Sequence, residues 1–292
     1  MKKVAITTRH DLKEHKSTLI KFIKCLQDQD REVFLDQNAR KNLSEEVKNC
    51  QNFEFDNSVD LLVVVGGDGT VLRATRYMKD LNVPLLGINV GRLGFLAEIK
   101  SEHFDNTCQL IWEGQFTKDP RMLLKVELVR DGEVVLTHRA LNEFTIGLSE
   151  VSRIIELDIS VDSYPVSHVL ADGFIVATPT GSTAHSLSAG GPILHPKMEA
   201  FILTPIAPHS FTQKPIVITP EKVIEIKPKG RNRENIMITM DGQVSEKIEK
   251  GDVIRISKHE EKVCFLRLLD ESFFKTIKAK LFWGEGFNTN GE

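Results

Sequence analysis

The sequence predicts two architectures in one chain: an α/β N-terminal domain with a parallel sheet, then a β-rich C-terminal domain of β-sandwich type. Three observations predict this. Strand-like and helix-like segments alternate over roughly the first hundred residues, the pattern of a parallel α/β layer. The run Asp60-Leu61-Leu62-Val63-Val64-Val65 is continuously apolar after its first residue, as expected of a strand covered on both faces. After about residue 120, short strand-like stretches follow one another with turn residues between them. The expected division is 1–100 for the α/β domain and 101–269 for the β-rich domain. Residues 270–292 are expected to return and pack on the first domain.

The elements follow in order. Residues 3–8 read as a short strand. Leu19, Phe22, Ile23 and Leu26 recur at helical spacing and predict an amphipathic helix over 15–29. Glu32-Val33-Phe34-Leu35 is a second short strand. The glycines after Val65 end the buried strand, and Val71, Leu72, Ala74, Thr75 and Met78 give a helical pattern behind them. Residues 102–113 suggest a helix at the junction. Segments 122–130 and 133–140 flank Asp131-Gly132, a hairpin signal. Further strand-like stretches are 153–161, 173–178, 215–219, 222–227, 235–240 and 252–257. Phe273, Phe274, Ile277 and Leu281 predict a last amphipathic helix.

Composition narrows the function. The chain has 292 residues, 41% hydrophobic and 27% charged, which is globular composition at a length suited to two domains. Lys plus Arg number 38 against 41 Asp plus Glu, a net charge of −3, and this argues against a nucleic-acid partner. Cys25, Cys50, Cys108 and Cys264 form no CxxC pair and no zinc-ligand spacing, so reduced thiols are expected. No apolar run approaches the ~20 residues that span a bilayer, and no apolar core follows the two N-terminal lysines. A cytoplasmic protein with no membrane partner is expected.

The first chemical motif is Gly66-Gly67-Asp68-Gly69-Thr70, directly after the buried strand and before a helix. Glycines there let a ligand approach the backbone, and a helix N-terminus favours phosphate. Asp68 is the informative residue. A carboxylate repels phosphate unless it meets a hydroxyl or a metal ion, and both roles serve phosphoryl transfer. The plain structural alternative is a tight turn with Asp68 as helix cap. Walker A is excluded because no Gly-Lys-Ser/Thr follows, and the Rossmann fingerprint fails at Leu72.

Three more strings stand out. Gly87-Ile88-Asn89-Val90-Gly91-Arg92-Leu93-Gly94-Phe95-Leu96 closes the first domain, either as an inter-domain bend or as a ligand-facing turn. Asn142 and Glu143 form a polar pair in an apolar strand, suited to a base edge and ribose hydroxyls, or merely solvated. The longest string runs from Ala171-Asp172-Gly173 through Thr178-Pro179-Thr180-Gly181-Ser182-Thr183 to Gly190-Gly191-Pro192. It reads as a strand, a hydroxyl-rich turn and a short helix capped by Ser182 or Thr183. The small residues after it allow a flat ligand to lie on the backbone, or allow close packing.

GGDGT alone resembles a superfamily of NAD kinases, diacylglycerol and sphingosine kinases and 6-phosphofructokinases. Together with GINVGRLGFL, NE, DGFIVATPTGSTAHSLSAGGP and Asp241-Gly242-Gln243, in this order, the chain resembles the NAD kinase family over most of residues 60–245. The resemblance implies phosphorylation of the adenosine-ribose 2′-hydroxyl of NAD, giving NADP, with ATP or polyphosphate as donor and a divalent cation, magnesium, as cofactor. It implies a homo-oligomer, dimer or tetramer, with the region Pro205–His209 involved. Within it Asp68 is the proton acceptor, Gly69 lies against the ligand, and Arg73 reaches a phosphate. Asn142 and Glu143 bind the adenine and ribose side, and Arg153 is a basic ligand contact. Asp172 meets the nicotinamide end. Thr183, Ala184, His185, Ser186, Leu187 and Ser188 line the adenine pocket, and Gln243 is a further contact. His185 departs from the tyrosine many members carry, with less stacking area. A non-catalytic NAD(P) sensor and a lipid kinase are the alternatives. Asp68 speaks against the first, and the absence of a membrane-binding amphipathic stretch against the second.

Overall fold

The computed structural model describes residues 1–12, 15–43, 47, 49–55, 59–97, 99–100, 104–148, 154–230, 235–268 and 273–282. The chain forms two compact units, Met1–Pro120 with Val263–Glu292, and Arg121–Lys262.

The first unit is built on an eight-stranded sheet. Its order is Gln51–Asn52, Glu32–Leu35, Lys3–Thr8, Leu61–Gly66, Leu85–Asn89, Val263–Leu268 and Phe116–Arg121, with Ile99–Lys100 also on Leu85–Asn89. The pairs around Lys3–Thr8 and Leu61–Gly66 are parallel, and all six residues of Leu61–Gly66 are buried, as the apolar run requires. Helix Lys16–Asp28 buries Leu19, Phe22, Ile23 and Leu26, the four residues whose spacing predicted it. Strand order matters for function. The chain winds outward from Lys3–Thr8, then jumps back to Leu61–Gly66 on its other side. The carboxyl ends of these two neighbours form the switch point at which open α/β sheets bind ligands.

The second unit is a sandwich of two six-stranded sheets. Inward side chains of both, among them Val126, Leu157, Ile226 and Ile256 from one and Phe144, Val176, Phe201 and Ile238 from the other, share one core. Neighbouring strands such as Glu143–Leu148 and Gly173–Ala177, or Ile155–Val161 and Ile224–Lys229, pair antiparallel. Asp131 and Gly132 both take positive φ, 50° and 86°, and close the expected hairpin.

The compact units change over at Pro120–Arg121 and Lys262–Val263 rather than at 100 and 269. The reason is that Phe116–Arg121 and Val263–Leu268 are strands of the first sheet, and short mixed segments of this kind carry no clean period. Helix Phe273–Leu281 forms where the tail pattern placed it. Residues 102, 103, 153 and 270–272 of the expected elements lie outside the described residues. No helix among the described residues is long and apolar enough to cross a membrane.

Candidate active site

Strand Leu61–Gly66 delivers the glycine loop to the carboxyl edge of the first sheet. Helix Asp68–Tyr77 begins at once, with Gly67 as its N-cap and no side-chain cap. Asp68 is therefore no helix cap. Its carboxylate reaches instead to the loop after strand Leu85–Asn89. The Phe95 amide donates to Oδ2 at 2.9 Å, and those of Leu96 and Ala97 to Oδ1 at 3.0 and 3.2 Å. Asn89 holds the same loop from inside, its amide donating to the Arg92 and Ala97 carbonyls at 2.8 and 3.1 Å.

This geometry explains two kinds of glycine. A Cβ on Gly94 would stand 2.0 Å from Asp68 Oδ1, so only glycine lets the loop close on the carboxylate. A Cβ on Gly67 or Gly69 would meet nothing within 4 Å. Those two glycines border open space, where a ligand can reach the helix N-terminus. Oδ2 accepts one bond only and keeps capacity for a ligand hydroxyl.

Arg73, on the same helix, turns toward strand Lys3–Thr8. It donates to Thr7 Oγ1 at 3.0 Å and to the Thr8 carbonyl at 2.7 Å. It also lies 3.7 Å from Asp36. Asp36 is buried, and burial pushes its carboxyl up more than the Thr7 hydroxyl, the Ala39 amide and Arg73 pull it down. The structure thus gives Arg73 a set of protein partners at the switch point.

In the second unit the pair Asn142 and Glu143 enters strand Glu143–Leu148, and both are buried. Their backbone is held by Asp241, in the turn after strand Ile236–Met240. Its carboxylate accepts the amides of Leu141, Asn142 and Glu143 at 2.9, 2.7 and 3.1 Å. The hydroxyl-rich turn grips the other side. Thr178 donates to the Leu141 carbonyl at 2.6 Å, and a Cβ on Gly181 would fall 2.1 Å from the Asn142 carbonyl oxygen. Glu143 receives the backbone amide of His185 and faces the charge of Asp241. Burial first, then Asp241, pushes its carboxyl up to about 8. Its Oε2 is buried with no protein hydrogen-bond partner and has room to accept a further donor.

Two domain models match the chain: the N-terminal domain of ATP-NAD kinase over residues 3–116 and its C-terminal domain over 141–268. The chain belongs to the ATP-NAD kinase family. An NAD kinase of Citrifermentans bemidjiense is 40% identical over 238 residues, 82% of this chain and 83% of that one. One of Cellvibrio japonicus is 41% identical over 225 residues, 77% and 75% of the two chains. Among solved structures, an NAD kinase from Archaeoglobus fulgidus in complex with ATP superposes with TM-score 0.73 at 30% identity, covering 96% of this chain and 98% of that one. Yeast NADH kinase complexed with NADH has the same fold, with TM-score 0.90 at 24% identity over 100% and 90% of the chains.

The ATP-NAD kinase fold brings some expected residues together and sets others apart. Asp68 and Gly69 open one helix. Asn142, Glu143 and His185 meet at one end of strand Gly173–Ala177. Asp172 is exposed at that strand's other end, about 16 Å away by strand rise. The expected cap at Ser182 or Thr183 is not formed. A 3-10 turn over Gly181–Thr183 precedes helix His185–Ser188, and neither has a side-chain cap. The Ser182 hydroxyl donates to the Pro179 carbonyl at 2.6 Å, and that of Thr183 to the Thr180 carbonyl at 3.3 Å. Ser186 is fully buried and bonds Thr204 at 2.9 Å. His185 and Ser188 are exposed, while Thr183, Ala184 and Leu187 are half-buried. Gln243 closes the Asp241 turn through its amide to Met240. Arg153 lies outside the described residues. Asp241 and Thr178, which hold the Asn142–Glu143 pair, stood in the quoted strings with no role, because their partners are remote in sequence.

Proposed function

We infer that this chain is an NAD kinase, moving the γ-phosphoryl group of ATP to the 2′-hydroxyl of the adenosine ribose of NAD. The observation that carries the mechanism is the fixed Asp68 carboxylate beside open space at Gly67 and Gly69. Asp68 Oδ2 accepts the proton of the attacking hydroxyl, a bond forms between the ribose oxygen and the γ-phosphorus, and the bond to the β-phosphate oxygen breaks. ADP leaves and the proton passes to solvent. Glycine-loop amides and the helix dipole hold the phosphates, so positioning and electrostatics supply most of the acceleration.

Glu143 and Asn142 hold the nucleoside of NAD in this proposal. A carboxyl with an unpartnered buried oxygen accepts a ribose hydroxyl, and the amide of Asn142 reads a base edge. His185 stacks on or borders the base. Asp172, standing apart from that cluster, serves the nicotinamide end, and Arg73, Arg153 and Gln243 are further contacts.

The cation enters as the magnesium complex of the triphosphate. Among the described residues no three His, Cys, Asp or Glu side chains stand together as a cage. Magnesium held by substrate phosphates, waters and one or two carboxylates needs none. Asp68 is the loop carboxylate that would meet it, and the ion would neutralise phosphate charge. The protein acts in the cytoplasm, which suits Cys25, Cys50 and Cys264 standing as thiols rather than in disulfides. It assembles as a dimer or tetramer. Exposed Tyr164, Val166, Leu170, Ile216 and Val217, on two strands at sheet edges, support self-association.

The test is to incubate the protein with NAD, magnesium and ATP, or polyphosphate in a parallel arm, and to measure NADP with an NADP-specific dehydrogenase. Steady NADP formation is expected. A folded protein that binds NAD and makes no NADP with either donor would sink the reading.

A further inference from the structure

The carboxyl edge of the first sheet carries a second cation whose placement neither the glycine loop nor Asp68 requires. Arg9 follows strand Lys3–Thr8, and its amide continues the ladder by donating to the Val65 carbonyl at 2.9 Å. Its side chain then runs sideways. Nη1 donates to the carbonyl of Val90 at 3.2 Å. Thr8 pairs with Val65, and Gly66 pairs with Asn89. Val90 therefore lies two strands from Arg9, roughly 10 Å across at ordinary strand spacing. The strand between them is Leu61–Gly66. A side chain joining the ends of both flanking strands lies beyond the end of the middle one, over Gly66-Gly67.

This is the switch point, and the open space beside Gly67 and Gly69 is at the same edge. Arg9 is half-buried. Its two anchors, Nε to the Asp11 carbonyl and Nη1 to Val90, are both backbone carbonyls. They fix the guanidinium plane and leave its charge uncompensated by any carboxylate among the described residues. A guanidinium has five N–H groups, so three remain to donate. Arg73 contrasts with it. That guanidinium is occupied by Thr7 and Thr8 and lies close to Asp36. Between Arg9 and Arg73, the two that reach back to strand Lys3–Thr8, Arg9 is the one with donors and charge to spare.

We propose that Arg9 contacts the phosphoryl donor, its guanidinium donating to phosphate oxygens of the nucleoside triphosphate lying on Gly67–Gly69. The assignment rests on the kinase reading and adds a residue to it. Planar, fixed and fully charged, an arginine suits a bidentate grip on phosphate better than a lysine does.

The test separates donor binding from acceptor binding and from folding. Arg9→Gln should raise the KM for magnesium-ATP or lower kcat/KM for it by about 10- to 100-fold, the range of one lost charged hydrogen bond. The KM and Kd for NAD and the melting temperature should stay near wild type. Arg9→Lys should recover part of the loss. On the unaltered protein, phenylglyoxal modification of Arg9, followed by mass spectrometry, should slow with magnesium and a non-hydrolysable ATP analogue and not with NAD alone. This second measurement stands even where Arg9→Gln fails to fold. Unchanged ATP kinetics in a folded Arg9→Gln, or no protection by the analogue, would overturn the assignment and leave Arg9 as a strut. Absence of NADP from the wild type with either donor would instead strike the kinase reading itself.

Discussion

The glycine loop of the first unit and the turn of the second use the same device. In each, an aspartate followed by glycine accepts three consecutive backbone amides from a remote segment. Asp68 takes those of Phe95, Leu96 and Ala97. Asp241 takes those of Leu141, Asn142 and Glu143. The devices differ in what they leave over. Asp68 is half-exposed and borders open space, so the anchor itself can meet a ligand. Asp241 anchors a second carboxyl, Glu143, which is buried and raised to about 8. An anchoring carboxylate can thus be the reacting group or can set the charge of its neighbour, according to what stands beside it.

The sharpest break of this comparison is at the two anchors. Asp68→Asn should lower kcat by at least about a hundredfold, the lower range for removal of a general base, with NAD affinity largely kept. Activity near wild type would end its role as proton acceptor. Asp241→Asn should act the other way, weakening NAD binding more than it slows a bound substrate. A kcat split between the two that ran in the same direction would show them to be equivalent anchors.

The glycines give the next test. Gly94→Ala drives a Cβ into Asp68 and should cost about 1–3 kcal/mol of stability, as overpacking does, with loss of activity. Gly67→Ala faces open space and should leave the melting temperature nearly unchanged while raising the KM for the donor. Thermal melts and ATP kinetics on the pair separate packing from ligand approach. Equal melting shifts would refute the division.

Such pairs show what sequence could and could not reveal. The apolar run 61–65 and the spacing of Leu19, Phe22, Ile23 and Leu26 made the first sheet and helix readable, because burial imposes a period. The glycine turn that carries Asp68 was readable from its place between a buried strand and a helix, but its grip on the amides of Phe95, Leu96 and Ala97 was not. The grip of Asp241 on Glu143 was not, since the two are 98 positions apart and no local pattern links them. Val263–Leu268 was missed as a strand of the first sheet for the same reason. Its neighbours in that sheet, Leu85–Asn89 and Phe116–Arg121, are both remote in sequence. The expected helix cap at Ser182 failed because its hydroxyl found a closer carbonyl, Pro179. Local preference gave way to a turn packed on Asn142.

Glu143 turns the comparison into a pH dependence. Its carboxyl moves from an ordinary 4.5 to about 8 in the folded protein, mainly through burial. Between those values the folded state keeps a proton that the unfolded chain has lost, so stability of the unliganded protein should fall as pH rises through that window. Glu143→Gln should remove this contribution and make the variant relatively more stable near pH 8. Wild-type NAD binding between pH 6 and 8 should release a proton, seen as a binding enthalpy that changes with the buffer's ionisation heat. A buffer-independent enthalpy would mean that Glu143 keeps its proton when NAD is bound.

The smallest effect is expected at His185, whose amide ties the helix His185–Ser188 to Glu143 while its side chain stays exposed. The backbone contact survives any substitution, so His185→Tyr tests the ring alone. A larger aromatic face beside the base should tighten NAD binding by about two- to tenfold, the range of one aromatic pair. The Glu143 carboxyl, and with it the proton released on binding, should be untouched. Calorimetry on His185→Tyr reads both quantities in one titration. A change in the released proton would mean that the His185 side chain, and not only its amide, communicates with Glu143. The second unit would then set the charge of its buried carboxyl through the His185 ring as well as through burial and Asp241.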